Sequence, residues 1–151
     1  MNNNSHEKLI KLHKIEKRLF EINNSRGNLP NKIDAINEKI NNLIDENKNH
    51  ETRLLEIDNR KNLLNKELSD TENKVKSLNE QMYKVKSNRE YEALLSEIDH
   101  LNNENMNILE ELETFEGEIT NINTSIKDNN ETLEVLNKEL STKTNQLSET
   151  N

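Results

Sequence analysis

The sequence predicts an all-α protein, a long antiparallel coiled-coil hairpin with a short N-terminal helix packed back on its base. Three observations carry this. Apolar residues recur in alternating steps of three and four through most of the chain, the period that two supercoiled helices bury against each other. Of the 151 residues only 30% are hydrophobic and 3% aromatic, while 33% are charged; that is too little for a globular core but enough to line a helical seam. Finally, Ser87-Asn88-Arg89-Glu90 has the form S-x-x-E, in which a serine caps the N–H of the third helical residue and a glutamate reaches back. The pattern before this point mirrors the pattern after it.

The first domain, residues 1–25, reads as one helix. Leu12, Ile15, Leu19 and Ile22 make an apolar stripe, Asn4-x-x-Glu7 offers a start, and Leu9, Ile10 and Phe20 widen the stripe. So broad a stripe suits packing on a pair of helices. Asn23–Pro30, NNSRGNLP, is the clearest break in the chain: glycine tolerates positive φ, and proline favours the first turn of a new helix over the interior of an old one. A turn is expected there.

The second domain, residues 26–151, is the hairpin, with arms at about 31–86 and 88–150 and a tip near 86–90. Its first arm carries the ladder Ile33, Ile36, Ile40, Leu43, Asn47, His50, Leu54, Ile57, Lys61, Leu64, Leu68, Thr71, Val75, Leu78, Met82 and Val85. The second carries Tyr91, Leu94, Ile98, Leu101, Asn105, Ile108, Leu112, Phe115, Ile119, Ile122, Ile126, Asn129, Leu133, Leu136, Leu140, Lys143 and Leu147. Neither skips, which implies a left-handed supercoil.

One register makes the polar interruptions coincide, setting Asn47 opposite Asn129 and Thr71 opposite Asn105. A slip of one heptad either way sets each of the four against Leu or Ile, and an unsatisfied buried polar group costs about 1–3 kcal/mol. These four are therefore expected to set the register. His50 and Lys61 then face Ile126 and Phe115; the lysine can snorkel, its stem along the ring. Gly117 falls on the outer face, costing about 1 kcal/mol relative to alanine.

The chemistry-bearing residues are sparse. A net charge of −8 argues against a general binder of phosphate backbones. There is no cysteine, hence no disulfide or thiolate metal site, and neither a secretory leader nor a run of about 20 apolar residues that would span a bilayer. A cytoplasmic protein without membrane attachment is expected. Glu97-x-x-His100 has half of a di-iron motif's spacing, but Ile98 and Leu101 hold the seam and no second copy exists; it reads as a solvated face. His6, His13 and His50 lack paired-ligand spacing. With no phosphate loop, no nucleophile elbow and no pocket-forming scaffold, no catalytic residue, metal ligand or cofactor is expected.

The charge inverts at the tip. Between Lys74 and Arg89, Lys76, Lys84 and Lys86 add to the basic count while Glu80 is the sole acid. Tyr83, Lys84, Lys86, Asn88, Arg89 and Tyr91 form the candidate partner-binding set, a docking surface for an acidic protein or for nucleic acid with the tyrosines as anchors. The plainer reading is a solvated hairpin end whose tyrosines close the seam.

Leu29-Pro30, the run Val85-Lys86-Ser87-Asn88-Arg89-Glu90-Tyr91-Glu92-Ala93-Leu94, and Glu97-Ile98 resemble the bacterial C4-type zinc-ribbon proteins, in which a coiled-coil hairpin precedes a zinc module. The resemblance covers nearly the whole chain. It implies an adaptor that binds a protein partner; members are described as nucleic-acid-binding candidates, and relatives are linked to flagellar or type III secretion assembly and to a sigma factor. The family's four zinc cysteines follow the second arm, and these residues contain none. Zinc and ribbon-borne nucleic-acid binding are thus expected only of a module beyond this chain, whose pattern runs on to Leu147 without a stop signal, as in a fragment. The other two readings are a nucleic-acid-binding protein with the hairpin as spacer, and a self-associating structural coiled coil. A monomer or weak homodimer is expected.

Overall fold

The computed structural model describes the backbone of residues 2–150 and all of their side chains except those of residues 2, 3, 25, 26 and 150. The end of the hairpin expected at residue 151 lies outside them. The protein is an all-α helical hairpin made of α1, Asn2–Met82, and α2, Asn88–Thr150. Among the described residues no helix is long and apolar enough to cross a membrane. Two units divide the chain, Met1–Glu46 with Asp128–Asn151 and Asn47–Lys127.

The heptad ladder is the folding code. We label its alternating positions a and d, with a at Ile33 and Ile40 and d at Ile36 and Leu43. Every ladder residue of the first arm is at least partly buried, and so is every one of the second except Tyr91, which is 43% exposed. In the first unit Ile36, Ile40 and Leu136 form a buried cluster on which Leu43, Leu133 and Leu140 pack. These six are facing partners in the expected register, which sets Ile40 opposite Leu136. In the second unit Lys61 Nζ donates to Glu116 Oε1, the neighbour of its facing residue Phe115. The lysine snorkels from the seam as expected. Ile57 and Leu64 are the deepest side chains, 0% and 1% exposed.

The expected turn over 23–30 is not formed. α1 runs helically through Pro30, begins at Asn2 ahead of the Asn4 cap, and contains Gly27 without positive φ. Proline's own φ is helical, so an interior proline removes the bond to the carbonyl four residues back and crowds it without reversing the chain. Nor is the N-terminal helix covered by the base: Leu12, Ile15, Leu19 and Ile22 are 53%, 57%, 55% and 45% exposed. The base offers no apolar groove to a third helix. Its seam is consumed by the two arms, and the positions flanking the seam are polar at Lys32, Lys39, Thr132 and Glu139 on one side and at Asn37, Asn130 and Asn137 on the other, with Ile44, 40% exposed, an isolated apolar side chain among them. Instead, Leu12, Ile15, Leu19 and Ile22 continue the a and d phase of Leu29 and Ile33 without a skip.

This continuity has a direct test. Pro30→Ala restores an N–H and relieves a clash, worth up to about 3 kcal/mol locally, so amide exchange should slow on both sides of residue 30; unchanged exchange before it would place a turn there. Ile57→Ala should cost about 2–4 kcal/mol of stability, whereas Leu63→Ala, at a residue 61% exposed, should stay within about 0.5 kcal/mol. Thermal unfolding followed by circular dichroism separates the two.

Candidate docking surface at the hairpin tip

The tip is built by two helix ends. α1 stops at Met82, earlier than the residue 86 expected, and residues 83–87 make the connection. The Lys84 N–H donates to the Gln81 carbonyl at 2.9 Å, tightening the last turn and taking up one of its orphan carbonyls. At the other side the Glu90 N–H donates to Ser87 Oγ at 3.1 Å, and the Tyr91 N–H to the Ser87 carbonyl at 3.2 Å. Ser87 is therefore the N-cap of α2, as the S-x-x-E signal implies. Val85 has left the helix yet keeps its seam role, half-buried in a recess with Gln81, Glu90, Ala93, Leu94 and Glu97.

These ends decide what the tip presents. Tyr83 stands 91% exposed on the connection. Tyr91 shares a recess with it, lined also by Asn79 and Met82. Lys84, Lys86, Asn88 and Arg89 are all exposed, and no carboxylate among the described residues lies within ion-pairing distance of Lys84, Lys86 or Arg89. An aromatic side chain beside three uncompensated cations is a surface suited to acidic ligands.

Along the shaft of the second unit the arms are also tied on one flank. Arg53 grips Glu118 in a fork, Nε to Oε1 at 2.7 Å and Nη2 to Oε2 at 3.1 Å, with Nη1 reaching Glu56 at 3.4 Å and the guanidinium 5.9 Å from the Phe115 ring centroid. One heptad nearer the tip, Arg60 repeats the fork on Glu111 at 3.2 and 3.5 Å. All four occupy the g position, just before an a residue. The hydrogen bond from Arg53 holds the Glu118 carboxyl below its ordinary range, with desolvation opposing, and the Glu118 carboxylate in turn raises Arg53. The sequence contained the signal: Glu90, Glu97, Glu104, Glu111 and Glu118 recur every seven residues on the second arm, and Arg53 and Arg60 are spaced alike on the first. The series breaks at Glu67, which lines a recess with Glu104; Glu104 meets His100 at 3.2 Å.

The four register residues all lie on the seam. Asn47 and Asn129 are half-buried, in different units. Thr71, 7% exposed, does not share its proton with Asn105: its hydroxyl donates to the Glu67 carbonyl of its own helix at 2.7 Å. Asn105 Oδ1 is buried with no partner among the described atoms. His50 is half-buried. His100, Glu97 and the other acids form no group of three metal-ligating side chains among the described residues. Gly117 has open space where a Cβ would stand. Comparison with protein-family models, curated proteins and solved structures yields no match to this chain.

Two outcomes follow from the side-chain geometry. Asn105→Leu should stabilise the hairpin by on the order of 1 kcal/mol, because the orphaned amide oxygen disappears and apolar volume replaces it; a loss of stability would show that Asn105 is satisfied in solution. Because Glu118 is depressed in the folded state, its contribution is full above the ordinary carboxylate range and is lost as pH falls through its folded value. The gap in melting temperature between the parent and Glu118→Gln should therefore be open at neutral pH and close in acid. A gap that persists in acid would assign the effect to packing instead.

Proposed function

We propose that the chain is a non-enzymatic protein-interaction module of the cytoplasm, a coiled-coil hairpin that presents its tip to an acidic protein surface. The observation that carries this reading is the pairing of Tyr83, 91% exposed, with the uncompensated Lys84, Lys86 and Arg89. A fully exposed tyrosine ring gains burial only when a partner covers it, and cations that form no ion pair within the chain are left to steer an acidic partner at long range. The shaft behaves differently, since several of its cations are already satisfied by its own acids. With a net charge of −8, the basic tip is a local inversion, which favours a defined protein patch over a phosphate backbone. The resemblance of Val85–Leu94 to the tip of C4-type zinc-ribbon proteins supports an adaptor role for the hairpin.

The test places a photo-crosslinking amino acid at position 83 in living cells, and in a second strain at Glu134 on the shaft. Position 83 should give a discrete protein adduct that disappears when Lys84, Lys86 and Arg89 are all changed to glutamate, while helicity is retained. With that partner purified, the triple change should slow association and flatten its dependence on salt. Equal adducts from both positions, or an adduct indifferent to the triple change, would reduce the tip to a solvated helix end.

A further inference from the structure

α1 carries a length of seam that α2 does not cover. Leu12, Ile15, Leu19 and Ile22 hold the a and d positions in phase with Leu29 and Ile33, yet stand about half exposed. In the register that sets Ile40 opposite Leu136, Leu29 faces Leu147, and the stripe continues the same a and d phase from Leu29. The uncovered stripe is thus a direct extension of an interface the molecule already uses.

Its flank is also familiar. Lys11 and Arg18 occupy the two g positions beside the stripe, both exposed. The stretch Lys11-Leu12-x-x-Ile15-Glu16-x-Arg18-x-x-x-Ile22 repeats, residue class for residue class, the stretch Arg53-Leu54-x-x-Ile57-Asp58-x-Arg60-x-x-x-Leu64. That second stretch is the one whose arginines fork onto Glu118 and Glu111. Leu19 replaces Lys61, so the N-terminal version has the more apolar seam.

We propose that residues 11–22 are a second docking stretch, taking an antiparallel amphipathic helix of the chemistry of residues 111–122: aliphatic or aromatic a and d positions and two glutamates one heptad apart at g. Lys11 and Arg18 then play the parts of Arg53 and Arg60. A second copy of this chain fits the stripe poorly. Antiparallel self-pairing with the flank offset of Arg53 and Glu118 brings Lys11 against Arg18 of the other copy. Parallel pairing puts leucine at a and isoleucine at d, which shifts preference from two strands to three or four, so self-association in that orientation would show as a higher oligomer and not as a dimer. The site is separate from the tip, and its failure would leave the tip reading untouched.

The probe is a fluorescent peptide spanning residues 104–126, titrated with the full chain and read by anisotropy. Saturable binding in the micromolar range is expected. It should be lost with Ile15→Asn/Leu19→Asn, whose exposed positions leave the hairpin's own melting unchanged. It should weaken about tenfold with Lys11→Glu/Arg18→Glu, two flank pairs turned repulsive, and return when the peptide carries Glu111→Lys/Glu118→Lys. Three results would overturn the proposal. One is no binding up to roughly 100 μM. Another is binding indifferent to Ile15→Asn/Leu19→Asn, which would mean that the peptide exchanges into the 53–64 seam. The third is sedimentation of the chain alone as a dimer or higher oligomer that Ile15→Asn/Leu19→Asn dissolves, which would make further copies of the chain the occupant.

Discussion

Burial in a two-helix hairpin is limited by geometry, because each arm can offer the other only its a and d positions and solvent reaches those from both flanks. Ile57 and Leu64 approach complete burial, while most seam residues remain partly wet. Each layer therefore contributes less than a globular core residue would, and stability is the accumulation of many modest layers. This is why the chain can hold so few aromatic residues and still fold, and why it cannot tolerate a lapse of phase. One skipped residue would rotate every later side chain off the seam.

The flanks add ties between the arms without fixing a single register. Apolar layers spaced by heptads are nearly interchangeable, so sliding by seven residues costs little in packing alone. The forks of Arg53 on Glu118 and Arg60 on Glu111 tie the arms edge to edge. The glutamates recur every seven residues, however, so a slip that sets Arg53 on Glu111 and Arg60 on Glu104 keeps both pairs, and it is the polar seam layers that oppose it. Their partial exposure keeps each modest in energy. The polar layer at Thr71 and Asn105 acts in a less symmetrical way than mutual hydrogen bonding would require: the threonine satisfies itself on its own helix, and the asparagine bears the cost.

How far the fold can be read from residues depends on which interactions are periodic. The seam was legible almost residue by residue, down to Lys61 escaping toward water, because burial in a coiled coil repeats with the sequence. The capping serine was legible because its geometry is local. The break at Gly27 and Pro30 was misleading: both residues weaken a helix, but a reversal needs a surface to fold onto, and the polar flanks of the base present none. The same reading passed over the phase of Leu12 to Ile22, which already matched that of Leu29 and Ile33 and pointed to one helix. The tip was legible in composition but not in shape. That the connection spans 83–87, leaving Tyr83 outward and Val85 inward, depends on where the last turn of α1 tightens, and no periodic signal records it.

The unbroken heptad phase also governs how such a chain can change length over generations. Because the short connection fixes pairing at the tip, a seven-residue gain within one arm displaces everything on its base side against the wrong partners, so it survives only when the other arm gains seven at the matching level.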